Sequence, residues 1–361
     1  MSDSREILST PNVGDGNTST LMALERQAVL LGENPLSTYL KTTSVPANIF
    51  HRKMTSDPEF TDSYADDSEA KRLSLPAKIY GKLSFAEFAL RVSKKGRSGM
   101  NQVSRWNAVQ EHQLLGANLN VLEILGINDV RLVVPDVHPK DSAVIAARRI
   151  PGINISVWNT KAQKELLDQG FDSTLHKPYM LDGFAPDIDA FKGRGRQVVI
   201  KSSGSGMPDI WHEKLRETFM GTDTDFALHT QTHHRTQDSI TMYHNKESRI
   251  EAFYGDLGGQ TRLLVGYPSE LVGVVCDMRS RGVSVWMATL PPRGSHEKRN
   301  LRFAMDNGLV VGELKFDLKR PPTFEDVTSL DINDLPSILC DLAEPPTLPT
   351  GIIGTQPFWA E

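Results

Sequence analysis

The sequence predicts an α/β protein of two domains, each built on a doubly wound, mainly parallel sheet. Three observations carry this. The chain has 361 residues, more than a single compact domain usually holds. It opens on a strand, a glycine-containing loop and a helix, and the same order restarts near residue 197. Apolar residues make up 39% and charged residues 24% of it, the balance of a globular protein with a buried core.

The first unit is a strand over 6–10, the loop PNVGDGN, and an amphipathic helix. That helix has Leu21, Leu24, Ala28 and Leu31 on one face and stops at Gly32. Residues 38–75 are polar and acidic, with DSYADDSEA at their middle. They read as an insertion outside the core, running on to about residue 105. A long helix is expected over 107–125. The βα rhythm then returns: strand 129–134, helix 141–149, strand 153–158, and helix 160–169 ending at Gly170. The stretch 185–196, with its proline and glycines, reads as a linker. It divides an N-terminal domain, 1–190, from a C-terminal domain, 191–361. The second domain restarts with strand 197–201, the loop SSGSGMP, helix 209–220 and strand 226–230. Later strands are expected at 262–265, 283–288 and 309–311.

Several function classes are set aside at this level. No run approaches the roughly 20 apolar residues that span a bilayer. MSDSREILST lacks the basic and apolar regions of a secretory signal, so a cytoplasmic, soluble protein is expected. Cys276 and Cys340 are too few for a disulfide framework and read as small buried residues in a reducing compartment. A net charge of −5 argues against general nucleic-acid binding.

Five stretches carry chemistry-bearing residues. In VVIKSSGSGMPDIW, a strand runs into Ser203, Gly204 and Ser205 and then into a helix. Backbone N–H groups and a helix N-terminus there can face an anion, although an ordinary βα turn has the same form. It is neither a Walker A loop nor a G-x-G-x-x-G fingerprint. In YPSELVG, Ser269 and Glu270 open a helix, where Ser269 can cap it. At the end of a strand, Glu270 can instead accept hydrogen bonds from ribose hydroxyls. In PPRGSHEKRN, Gly294 precedes a helix with Glu297 and Asn300, so this loop can also face phosphate or sugar. In VVPDVHPKD, Asp136 and His138 flank a turn and can form a general base; equally, Asp136 can cap a following helix. LHTQTHHRT holds His229, His233 and His234. With no cysteine nearby and no structural zinc spacing, neither a metal nor another cofactor is expected, and His233 is read in a loop that contacts a nucleobase or is merely solvated. Finally, residues 78–97 mix lysine and arginine with aromatics. They read as a core helix or, alternatively, as a peripheral contact with an anionic membrane.

Taken in order, SSGSG, PSE and RGVSVWMATLPPRGSHEKRNLRFA resemble the donor-binding half of GT-B glycosyltransferases. The resemblance is to the group of the lipid-II-forming N-acetylglucosaminyltransferase and the diacylglycerol sugar transferases. STPNVGDGN stands where that family has its glycine-rich first loop, with Asp15 near the place of a cleft histidine. VWNTKAQKELLDQGFDSTLHKPYM resembles the segment before its interdomain linker. The resemblance covers most of the chain outside about 38–105. It implies two facing Rossmann-like domains with a cleft, and a nucleotide-sugar-dependent hexosyltransferase that inverts the anomeric carbon. The donor is expected to be a UDP-sugar, the partner an acceptor hydroxyl compound. By that match Ser203, Gly204 and Ser205 meet the diphosphate, and Ser269 and Glu270 lie at the ribose. Gly294, Glu297 and Asn300 line the sugar or phosphate side. Asp15 or the Asp136/His138 loop supplies the base. Two other readings stay open: a nucleotide-sugar epimerase of the same architecture, using groups such as Glu297 and His233, and a two-lobed binding protein that lacks a base.

Overall fold

The structure is a computed structural model, and it describes residues 6–9, 16–32, 36–39, 130–139, 154–202, 207, 209–292, 294–316 and 321–359. These residues form an α/β protein with two compact units. One takes in the described residues up to Tyr179 and again from Gly351 onward; the other takes in those of Met180–Thr350.

The first unit runs β1 (Glu6–Ser9), α1 (Gly16–Leu30), β2 (Leu36–Tyr39), β3 (Val130–Val134), β4 (Asn154–Val157), α2 (Thr160–Leu167) and β5 (Thr174–Leu175). Its strands lie in the order β2-β1-β3-β4-β5, and every pairing is parallel. Helix α2 starts where Asn159 accepts a hydrogen bond from Ala162 N at 2.8 Å, the usual satisfaction of a free helix N–H. It ends before Gly170, whose φ of 84° suits glycine. Ala162 and Leu166 of this helix pack with Val134, Ile155 and Val157 of the sheet.

Two findings differ from the sequence reading. The insertion was expected from residue 38, yet Leu36–Tyr39 forms a strand in register with Glu6–Ser9. Four residues are too few for alternation to register, and the neighbouring strand supplies what the pattern lacks. The last stretch was expected in the C-terminal domain, yet residues 351–359 group with the first unit. Thr160 N donates to Ile352 O at 3.1 Å, Lys177 N to Gln356 O at 2.8 Å, and Gly354 N to Trp158 O at 3.2 Å. Phe358 is fully buried against His176 and Tyr179, and Trp359 Nε1 donates to Leu24 O at 3.2 Å. The expected insertion beyond residue 39, the helices over 107–125 and 141–149, and the basic aromatic segment 78–97 lie outside the described residues.

The second unit begins with α3 (Met180–Phe184), α4 (Ile188–Lys192), β6 (Val198–Lys201), α5 (Asp209–Phe219) and β7 (Phe226–His229). It continues with β8 (His233–Arg235), β9 (Ile240–Met242), α6 (Lys246–Asp256), β10 (Leu263–Gly266) and α7 (Pro268–Ser280). It closes with β11 (Trp286–Thr289), α8 (Gly294–Asp306), β12 (Val310–Lys315), β13 (Ser329–Asp331) and α9 (Leu335–Asp341). The strand order is β13-β12-β11-β10-β6-β7-β8-β9. VVIK, FALH and LLVG are buried at every position, as expected of central parallel strands covered on both faces. All pairings are parallel except those of β8, which is antiparallel to β7 and to β9. HHRT, read from sequence as a loop, therefore begins in a strand. Cross-strand pairing with FALH overrides a local pattern that is polar throughout.

The expected linker, 185–196, and helix α3 before it are packed down. Leu181 N donates to Asp277 Oδ2 at 2.8 Å. Arg281 of the segment after α7 binds Asp182 Oδ1 and Ala185 O, both at 2.6 Å. Gly195 has φ 110°, and a Cβ there would lie 2.6 Å from Gly258 N; one on Gly258 would lie 2.0 Å from Arg194 O. Only glycine permits that backbone approach. Cys276 is buried, and burial pushes its thiol up to about 12, which keeps it inert. Cys340, expected buried, is exposed; on α9 the core is served by Leu335 and Leu339. No described helix is long and apolar enough to cross a membrane.

His212 on α5 yields a stability prediction. Burial, with His233 nearby adding to it, pushes its pKa down to about 4, while Glu213 pulls the other way. A depressed histidine pKa means that the unfolded chain takes the proton first. Its contribution is intact above about pH 6.5 and is lost as pH falls towards 4. Between pH 7 and 5 this one group should lower the unfolding free energy by about 2 kcal/mol. Denaturant titrations should show His212→Gln losing that much less than the unmodified chain over the same interval. Equal losses in both proteins would remove His212 as a cause.

Candidate functional site

In each sheet the strand order reverses once among the described residues. In the second unit the chain steps from β6 to β7 on one side, then crosses to β10 on the other side of β6. In open α/β sheets, a reversal of this kind is where ligands bind, outside the carboxyl ends of the two strands. Lys201 and Ser202 stand at the end of β6. Gly266 ends β10, and Pro268, Ser269 and Glu270 start α7. The third adjoining strand, β11, leads to Gly294 at the start of α8. Two of the motifs singled out from sequence, PSE and the start of α8, therefore meet at one edge of one sheet, and the end of β6 leads into the third. Ser203, Gly204 and Ser205 lie outside the described residues.

The edge is built from buried polar groups. Pro268 sits in the first turn of α7, and Tyr267 before it makes no side-chain cap. The cap comes instead from the neighbouring helix. Glu297 of α8 accepts from Ser269 N at 2.8 Å through Oε2 and from Ser269 Oγ at 2.6 Å through Oε1. A carboxylate at this pole of a helix is stabilised by both the free N–H groups and the dipole. Glu297 and Asn300 are each buried to 3% exposure or less. Glu270, one residue further on, turns towards β6: its Oε2 is 3.6 Å from Lys201 Nζ, with side chains 8% and 4% exposed. Lys201 Nζ also lies 4.5 Å from the centroid of the Phe253 ring, a second favourable contact for a buried cation. Ser202 N donates to His229 O at 2.9 Å, while its own hydroxyl is buried with no hydrogen-bond partner among the described residues. Such a hydroxyl is a ready contact for a bound group.

The first unit reverses between β1 and β3. Asp15, which follows β1 in sequence, lies outside the described residues. Asp136 and His138 follow β3 directly. Trp158 Nε1 donates to Pro135 O at 2.8 Å and Asn159 Nδ2 to Asp136 O at 3.4 Å, so residues after β4 fix this loop. His138 does not stand alone: its Nδ1 is 2.7 Å from Glu165 Oε1 of α2. An imidazole held by a carboxylate through one nitrogen has its ring orientation set.

His233 lies apart from the β6–β10 edge contacts just described. Its Nδ1 is 3.1 Å from both Thr230 Oγ1 and Thr232 Oγ1. Three residues of evident chemical interest escape the sequence reading: Lys201, Glu165 and Asp256. Lys201 looks like the polar end of an apolar strand. Glu165 is one charged residue on an amphipathic helix. Asp256 comes 22 residues after His234 and is tied to it only by the fold. A buried lysine at a strand's carboxyl end was the one signal available beforehand. No family model matches the chain, and no curated protein matches it.

The Lys201–Glu270 pair supplies the second prediction. Removing one member strands a buried charge, so Glu270→Ala should destabilise the protein by about 3 kcal/mol. Replacing both, Lys201→Met with Glu270→Leu, should recover at least about 1 kcal/mol of that loss. Urea unfolding of the three proteins measures both quantities. A single variant as stable as the unmodified chain would show the pair to be energetically idle.

Proposed function

We propose that the protein is a nucleotide-sugar-dependent glycosyltransferase whose donor, a UDP-sugar, binds at the β6–β10 edge of the second unit. The supporting observation is that PSE, the start of α8 and the strand leading into SSGSG converge at a reversal of strand order, where open α/β sheets bind ligands. The finer architecture proposed with it is the GT-B one, two Rossmann-like domains facing across a cleft. In both sheets the first strand lies between the next two strands of the parallel set, β2 and β3 around β1 and β7 and β10 around β6, and this favours it.

In this reading Ser203, Gly204 and Ser205 offer N–H groups to the diphosphate. Glu270 accepts from the ribose while Lys201 holds its carboxylate in place. Glu297 acts one step back, fixing Ser269 and with it the start of α7, and Asn300 and Gly294 border the sugar. His233 stands towards the nucleobase. The acceptor oxygen attacks the anomeric carbon, the bond from that carbon to the diphosphate oxygen breaks, and UDP leaves with the electron pair. The acceptor proton goes to a base in the loops after β1 and β3, Asp15 or His138, with Glu165 positioning the imidazole. Attack from the face opposite the leaving group inverts the centre. N–H groups aimed at the leaving diphosphate lower the barrier without reorganising.

Calorimetric titration with UDP and product analysis test this together. Glu270→Gln, which spares the shape of the site, should weaken UDP binding by about 1–3 kcal/mol. His138→Ala should leave UDP affinity unchanged and slow transfer by about 10²–10⁴-fold if it is the base. Unchanged UDP affinity in folded Glu270→Gln removes that residue from the site. A donor recovered isomerised points to an epimerase, and one recovered intact with every acceptor to a binding protein.

A further inference from the structure

Beside the proposed donor edge lies a second cluster. His229 ends β7 and His234 is the middle residue of β8, and the two are register partners across the antiparallel pair. Partners across such a pair project to the same face. Their rings stack at 4.7 Å between centroids and 10° between planes. Asp256, the last residue of α6, closes the group. Its Oδ2 is 3.0 Å from His229 Nε2 and 2.9 Å from His234 Nε2.

We infer that His229 Nε2, His234 Nε2 and Asp256 Oδ2 form a binding site for a divalent first-row transition-metal ion of the Zn²⁺ type.

Geometry is the first argument. The three atoms lie within 4.8 Å of one another. All three are buried, and none makes an aligned hydrogen bond among the described residues despite separations of 3.0 Å or less. Two N–H donors serving one oxygen would point at it. Ligands of one ion instead point at a common centre and only flank one another. For a tetrahedral ion about 2.0 Å from each ligand, neighbouring ligand atoms stand about 3.3 Å apart; the two nitrogens stand 3.0 and 2.9 Å from the oxygen.

The surroundings give the second argument. His229 Nδ1 is 2.7 Å from Tyr243 Oη, and Asp256 Oδ1 is 3.4 Å from Arg196 Nε. A hydrogen bond to the far nitrogen or oxygen is how metal ligands are oriented. Burial pushes His229 down to about 4, with Lys201 and His234 adding to it against the pull of Asp256. The positive charge of Lys201, paired in register with His229, opposes a cation, and Glu270 offsets it.

The donor set gives the third. Two imidazoles and one carboxylate suit zinc and its neighbours, not the all-oxygen shells of Ca²⁺ or Mg²⁺. His229 is 1% exposed, whereas His234 and Asp256 are 17% and 15% exposed. An ion thus has a way in, and three protein ligands leave it a position for an exchangeable oxygen ligand. This inference stands independently of the donor reading.

The test uses the full chain, stripped with a chelator and titrated with Zn²⁺ by calorimetry near pH 7.5, with Co²⁺ absorption as a second readout. One equivalent of Zn²⁺ should bind, and Co²⁺ should give the visible bands of a low-coordinate nitrogen–oxygen site. His234→Ala and Asp256→Asn should each weaken Zn²⁺ binding by about 100-fold or more, and Tyr243→Phe by about 10-fold. His233→Ala should leave it unchanged. Asp256 also meets Arg196, so circular dichroism checks its variant; if that variant fails to fold, the half-buried His234 decides. No Zn²⁺ uptake by the unmodified chain at about 100-fold excess over protein, or an affinity untouched by His234→Ala, overturns the assignment.

Discussion

A parallel strand cannot turn directly into its neighbour; the chain must cross back to the starting edge before the next strand begins. That constraint organises both sheets. It brings the carboxyl ends of the parallel strands to one edge, so every loop that leaves them competes for the same rim. The order reverses between β6 and β10 and between β1 and β3, the places where open α/β sheets bind ligands. The polar residues of greatest interest follow from it. Lys201, Glu270 and Gly294 are far apart in sequence and come to one rim because three parallel strands end together.

The rim carries charge below the surface, which has a cost unless each group is answered. Glu297 is answered by the start of α7, Lys201 by Glu270 and Phe253, and Asp256 by two histidines and Arg196. A purely structural edge would be more stable with apolar residues of the same volume. The concentration of buried, oriented charge at the carboxyl ends of β6, β7 and β10 is therefore the physical reason to look there for chemistry.

Much of the frame was legible in the sequence because its signals are local. The helix ending at Gly32, the strand Val130–Val134 before Pro135, the helix stopping at Gly170 and the restart at VVIK all follow from periodicity and glycine stops. What escaped was set by distant partners. LSTY becomes a strand through EILS, and HHR through FALH. The final segment joins the first unit through backbone bonds to residues 158–177 that no local pattern announces. At the site the same division holds. Ser269, Glu270 and Glu297 were singled out as residues near a helix start. Their actual links, Glu297 capping α7 and Glu270 meeting Lys201, depend on two helices and a strand lying side by side. His138 was paired in sequence with nearby Asp136; the fold also brings it Glu165, 27 residues on, which no local pattern announces. The histidine run hid its geometry in the same way: His233, its middle member, turns to threonines, while His229 and His234 meet an aspartate on α6.

The central claim is a location: a nucleotide belongs at the reversal between β6 and β10. A crystal structure of the chain with UDP bound tests it most directly. The account predicts the ribose beside Glu270 and the diphosphate at residues 203–205, beyond the end of β6. A nucleotide seated elsewhere on the protein, with this edge empty, would contradict it.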